Sequence, residues 1–197
     1  MVNGKKAMEQ LFVSKVRIKL LHYFFTHPDT PIHLRGAVRE LKEEINAVRR
    51  ELNRMEEIQL VRSDQRGNRK YYLLQKDAPF SEELRGIVFK SFGLGGEILK
   101  NQKKIGIIQF AILTSSYVTG IMMGNNKVDL ILIGDINLTE LNNIIEEFEK
   151  KELREVNYTI MKATEFELRK KRRDPFVTEL LIGSKLLLIG SQDELVS

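Results

Sequence analysis

The sequence predicts an α+β protein built in two unlike parts, and three observations carry that prediction. The hydrophobic period is helical up to about residue 60, shortens to a hairpin pattern, and after residue 104 becomes apolar runs alternating with amphipathic segments. Positive charge is gathered at the front: residues 1–80 hold 16 Lys and Arg against 10 Asp and Glu, while 81–197 hold 16 against 17, in a chain of formal charge +5. Between the two styles, Gly93, Gly95 and Gly96 interrupt a helical pattern. The expected organisation is a first domain over 1–80, a helical connector over 81–104 and an α/β domain over 105–197.

Composition narrows the class. Hydrophobic content of 42% and charged content of 30% describe an ordinary folded protein. No apolar run approaches the roughly 18–20 residues that span a bilayer, and the basic start has no apolar h-region behind it. The absence of cysteine excludes disulfides, thiolate zinc sites and cysteine nucleophiles. His22, His27 and His33 lack metal-ligand spacing and suit helix-surface or capping roles. A cytoplasmic chain with no metal, no cofactor and no membrane partner is expected.

The elements follow in order. Over residues 8–27, Val13, Val16, Leu20, Tyr23 and Phe24 form one helical stripe, ended by His27-Pro28-Asp29-Thr30-Pro31. Leu34, Ala37, Val38 and Leu41 make the apolar face of a second helix. Ile45, Val48, Leu52 and Met55 make a third, with Ile58 and Leu60 extending the signal. The turn between them, Leu41-Lys42-Glu43-Glu44, lacks the glycine many such turns use, but its acids suit the positive end of the next helix. Leu60–Ser63 and Lys70–Leu74 read as strands around a Gly67-Asn68 tip. A connector starts at Ser81, with Leu84, Val88 and Phe92 in line.

Beyond it, strands are expected at Ile107–Leu113, Val128–Gly134, Val156–Met161 and Lys185–Gly190. A helix carrying Leu141, Ile144, Ile145 and Phe148 separates the second from the third. Thr164 and Glu167 have the spacing of a capping box. Asp174-Pro175 opens a further helix that Gly183 closes.

On the outer face of the third helix lie Asn46, Arg49, Arg50, Asn53 and Arg54, side chains able to reach base edges and phosphates. The hairpin adds Arg66, Asn68, Arg69 and Lys70. Helix, turn, helix and a basic hairpin is the layout of a winged helix-turn-helix, and the expected partner is double-stranded DNA. A plain solvated basic face is the alternative. A homodimer is expected, reading half-sites about 34–36 Å apart.

The C-terminal part resembles the minimal nucleotidyltransferases of the polymerase-beta-like superfamily. The resemblance rests on Thr114-Ser115-Ser116-Tyr117-Val118-Thr119-Gly120 followed by Asn126-Lys127-Val128-Asp129-Leu130-Ile131, on Arg154–Thr159, and on Asp174-Pro175-Phe176 through Leu187–Gly190. Val48–Leu52 and Arg69–Tyr72 resemble members that carry an N-terminal winged helix. It implies a mixed sheet and a nucleotide pocket at Ser115, Ser116, Gly120, Lys127 and Asp129. It also implies two metal-holding carboxylates, of which Asp129 matches the second while Lys127 stands at the first. An ammonium cannot ligate a cation and repels one at short range, so catalysis is expected to be lost. The pocket either holds a nucleotide through Lys127 or survives as a packing and dimerisation unit in which Lys127 pairs with an acid.

The expectation is therefore a sequence-specific DNA-binding transcriptional regulator with no catalytic residues and a degenerate nucleotidyltransferase-like domain. The alternative is an active nucleotidyltransferase modifying protein or RNA, as in a toxin–antitoxin pair. The run Arg169-Lys170-Lys171-Arg172-Arg173 has two readings, a solvated helix end or an added phosphate contact.

Overall fold

The computed structural model of the chain describes residues 4–119 and 128–197. They are α+β, and fall into two compact units, one ending at Phe92 and the other running Gly93–Ser197. No helix among the described residues is long and apolar enough to cross a membrane.

The first unit runs α1 (Gly4–Leu11), α2 (Lys15–Thr26), β1 (Ile32–His33), α3 (Leu34–Leu41), α4 (Ile45–Glu57), β2 (Val61–Arg66), β3 (Arg69–Leu74) and α5 (Ser81–Ser91). The single helix expected over 8–27 is broken in two. The Ser14 hydroxyl accepts the Arg17 N–H at 3.2 Å and opens α2 afresh, a capping signal the apolar stripe concealed. Val13, assigned to that stripe, falls in the break and is 97% exposed, whereas Leu20 and Phe24 are buried.

Between α3 and α4, Lys42 takes the left-handed conformation (φ 53°) in place of a glycine. Glu44 caps α4, its carboxylate accepting the Asn46 and Ala47 N–H groups at 2.8 Å each. Helix α4 buries Val48, Leu52 and Met55; of the two apolar residues past its end, Leu60 is buried and Ile58 is exposed. One inward residue is not apolar. Glu51 is buried, and its two oxygens each take one arginine: Arg17 Nε on α2 and Arg54 Nη1, both at 2.8 Å.

The hairpin has the expected tip, with Gly67 at φ 57° and Arg66 opposite Arg69. Its strands are longer than the sequence pattern suggested, and β3 also pairs with the short β1, giving an antiparallel sheet in the order β1-β3-β2. Two-residue β1 carries no periodicity to detect.

The second unit runs α6 (Gly93–Ile105), β4 (Gly106–Thr114), α7 (Ser115–Thr119), β5 (Leu130–Ile136), α8 (Leu138–Glu152), β6 (Tyr158–Met161), α9 (Ala163–Lys171), α10 (Pro175–Ile182), β7 (Lys185–Ile189) and α11 (Gln192–Val196). Its sheet is mixed, in the order β6-β5-β4-β7, with β5 and β6 parallel and the other pairs antiparallel. Phe110, Ile112, Ile131 and Ile133 alternate along β4 and β5 and form one core with Met161, Phe166, Val177, Leu180 and Leu195. Ala111, Leu113, Leu130 and Leu132 point to the other face and are equally buried. Helix α6 packs there on β4 and α8. Opposite the β4 irregularity, a Cβ on Gly134 (φ 150°) would come within 2.2 Å of the Ile107 carbonyl, so only glycine fits.

One expectation changes. The Thr164–Glu167 capping box does not form: α9 starts at Ala163, so Thr164 is already inside the first turn, where its hydroxyl cannot cap. As the interruption at Gly93 suggests, the 81–104 segment holds two helices, split at Phe92 and Gly93 (φ 61°). Helix α5 packs on α1 and α2 of the first unit, and α6 belongs to the second. Asp174, Pro175 and Gly183 delimit α10 as expected.

Glu51→Ala should lower the unfolding free energy by about 2–3 kcal/mol, since it strands a partly buried arginine. Arg54→Ala, with its side chain 57% exposed, should cost under about 1 kcal/mol. Urea titrations of both variants check the ranking, and equal losses would contradict the role given to Arg17.

Candidate nucleic-acid interface and the Asp129 cluster

Helix α4 has 13 residues, which at roughly 1.5 Å per residue makes a rod about 20 Å long, of a width that enters a major groove. With Val48, Glu51, Leu52 and Met55 turned inward, the 3.6-residue period turns Asn46, Arg49, Arg50, Asn53 and Arg54 outward, and all five are exposed. Arg49 Nη1 donates to Asn46 Oδ1 at 2.8 Å, and Arg54 is held by Glu51. Among the described residues, no carboxylate forms an ion pair with Arg49 or Arg50.

The hairpin residues Arg66, Asn68, Arg69 and Lys70 are also exposed, but they are not equivalent. Arg66 pairs with Asp64 at 2.9 Å and its guanidinium lies 5.3 Å from the Tyr71 ring centre. Lys70 is engaged more firmly: Glu56 of α4 accepts from Lys70 Nζ at 2.6 Å and from the Ser63 hydroxyl at 2.5 Å. One carboxylate thus ties the end of α4 to both hairpin strands, which sequence reading missed because Glu56 and Lys70 are far apart along the chain. Its hydrogen bonds from Lys70 and Ser63 hold the Glu56 carboxyl below the usual range, and in return Glu56 raises the Lys70 ammonium. Glu44 is lowered chiefly by the Asn46 and Ala47 N–H groups. For Glu51, burial is the largest influence and pushes the carboxyl up. Hydrogen bonds from Arg17 and Ser14, with the charges of Arg17 and Arg54, outweigh it, so its net shift is also downward.

His33 takes a capping role. Its Nδ1 accepts the Gly36 N–H at 3.0 Å at the start of α3, while its ring meets Tyr71 edge-on.

Of the five residues expected to form the pocket of the second unit, Ser115, Ser116 and Asp129 are described. Gly120 and Lys127 lie outside the described residues. Ser115 and Ser116 line a cavity of about 60 Å³ with Thr114, Val128, Ile131, Phe176 and Lys185 among its other walls, a volume on the scale of a few waters. The Thr114 and Ser116 hydroxyls both donate to the Val128 carbonyl, at 2.5 and 2.8 Å, so their protons are spent on the protein itself.

Asp129 is not among the lining residues. It is 1% exposed; Oδ2 accepts the Asn157 N–H at 3.0 Å, and Oδ1 lies 3.5 Å from Arg154 Nη2. The Arg154 guanidinium covers the Tyr117 ring at 4.2 Å, and the buried Tyr117 hydroxyl accepts the Leu94 N–H at 3.3 Å. Arg154 and Tyr117 were named only inside longer motifs, and nothing in their spacing announced this stack. Among the described residues, no three His, Asp or Glu side chains come together in a group that could hold a metal ion.

No protein-family model and no curated protein matches the sequence. Human N-acetylserotonin methyltransferase in complex with SAM is a solved structure similar to it at 12% identity and a TM-score of 0.31. The match takes in 90% of this chain and 46% of that one, so the chain spans less than half of that protein's length. A likeness that slight fixes neither fold nor function.

Asp129→Ala should destabilise by about 2 kcal/mol, because it removes the hydrogen bond between the buried Asp129 carboxylate and the Asn157 N–H together with the contact to Arg154. A gain in stability on thermal melting would instead mark Asp129 as a residue kept for function at a structural cost. Glu44, Glu51 and Glu56 are easier to ionise folded than unfolded. They therefore stabilise the first unit above the unfolded carboxylate range near pH ~4.3, and that contribution is lost as pH falls through their lower folded values. Acid titration by circular dichroism should show the loss below about pH 4.3, with a shallower slope in Glu51→Gln/Glu56→Gln.

Proposed function

We propose that the chain is a sequence-specific DNA-binding transcriptional regulator. The first unit is a winged helix-turn-helix in which α4 enters the major groove and the β2–β3 hairpin is the wing. The second unit is a catalytically degenerate nucleotidyltransferase-like domain, and the protein acts as a homodimer. One observation carries the reading. Asn46, Arg49, Arg50, Asn53 and Arg54 are all exposed along one helix whose reverse face is pinned into a core. The order of α2, β1, α3, α4, β2 and β3, with Arg66, Asn68 and Arg69 exposed around the hairpin tip, supports it further.

Within that reading the side chains divide by what they can touch. Arg50 and Asn53, without an ion pair, are available for base edges; Arg49, steadied by Asn46, and Arg54, steadied by Glu51, suit phosphates or a fixed hydrogen-bonding geometry. Lys70, engaged with Glu56, contributes less than Arg66 or Arg69. Nucleotidyl transfer has less support, because the oxygens of Asp129 face Asn157 and Arg154.

Arg50→Ala should weaken duplex binding by about 1–3 kcal/mol and relax base preference at one position. Arg66→Ala should weaken all sequences alike and lower the salt slope by about one. Selection of bound duplexes from a random pool, followed by titrations at several salt concentrations, measures both. Binding that neither substitution alters overturns the assignment. Incubation with labelled ATP and magnesium tests the other reading, since label transfer abolished by Asp129→Asn would make the protein an enzyme.

A further inference from the structure

We infer that the C-terminal end of α9 and the turn behind it, at Lys171, Arg172 and Arg173, are a second nucleic-acid contact that grips phosphate without reading sequence. The inference rests on the DNA-binding reading for its partner, but on different residues in the other unit.

The run of five cations is divided by the fold. Arg169 is held by Glu165 at 2.7 Å, and Lys170 Nζ donates to the Leu195 carbonyl at 3.0 Å, closing the end of α11. These two are structural. Lys171, Arg172 and Arg173 are all exposed, and none forms an ion pair among the described residues. The nearest acid along the chain is already occupied: the Asp174 carboxylate accepts the Val177 N–H at the start of α10.

The ordinary account of cations at a helix end is that they satisfy its free carbonyls and complement its negative pole. Here the backbone satisfies three of the last four carbonyls of α9. The Leu168 carbonyl accepts from Arg172 N, that of Lys170 from Arg172 N and Arg173 N, and that of Arg169 from Asp174 N at 3.0 Å. Arg173 is also in the left-handed conformation (φ 53°), where a β-carbon is disfavoured and glycine or asparagine is the usual occupant. Three adjacent cations, unused by carboxylate or carbonyl and one of them in an unfavourable backbone state, suit a polyanion. They form no rigid fork that could pick out one base, so the contact is to the phosphate backbone.

The test compares the full chain with Lys171→Gln/Arg172→Gln/Arg173→Gly and with Arg173→Gly alone, using a labelled duplex of mixed sequence between about 50 and 200 mM salt. The triple variant should lower the slope of log affinity against log salt by about 2–3, leaving base preference in the random-pool selection unchanged. Arg173→Gly should raise the melting temperature while lowering the slope by about one, a pairing that a purely structural role cannot produce. Unchanged slopes in both variants overturn this inference and leave the α4 reading standing. Binding that responds to the triple variant but not to Arg50→Ala overturns the α4 reading instead. A parent chain that ignores duplex altogether overturns both.

Discussion

The carboxylate of Glu51 is the constraint on which the first unit turns. A buried acid without partners would cost several kcal/mol, so two arginines must come to it. Arg17 comes from α2 and Arg54 from one turn along α4, and each oxygen accepts one of them. The pair fixes α4 about its own axis in a way that Val48, Leu52 and Met55 alone do not, because apolar contacts are non-directional. With the inner face set, Arg49, Arg50 and Asn53 have no freedom to be anything but outward. The basic face is a consequence of where one acid is buried.

Glu56 extends the same logic to the hairpin. A two-stranded ribbon is marginal by itself, and this one gains a third strand in β1 and a tether from α4 through Ser63 and Lys70. The tether spends one cation of the hairpin on holding the others in position. That is why charge counting overstates how many positive side chains are free for a partner, here as in the run at the end of α9.

Asp129 does in the second unit what Glu51 does in the first. It closes the space between β5 and the segment before β6, taking the Asn157 N–H and drawing Arg154 onto Tyr117. A carboxylate held this way has a structural part in the closing of β5 on the segment before β6. Ser115 and Ser116 stay close in space to Val128, but their neighbourhood is walled by Phe176, Leu180 and Ile131 and is mostly apolar.

Much of this was determined by the sequence alone. The 3.6-residue period of Ile45–Met55 and the glycine-asparagine tip at 67–68 specify local geometry through short-range sterics, so α4 and the hairpin could be read directly. The apolar runs near 107–113 and 128–134, and the Asp174-Pro175 start of α10, were legible for the same reason. What sequence could not decide is which polar side chains would find each other. Glu51 sits at i+3 from Val48, a spacing that places it on the buried face, yet its partner Arg17 is thirty-four residues away. Asp129 meets Arg154 and Asn157 only once β5 and β6 lie side by side, and that pairing is a property of the closed sheet. Local periodicity fixes which way a residue points; only the assembled core decides whether its charge is answered there or left for something outside.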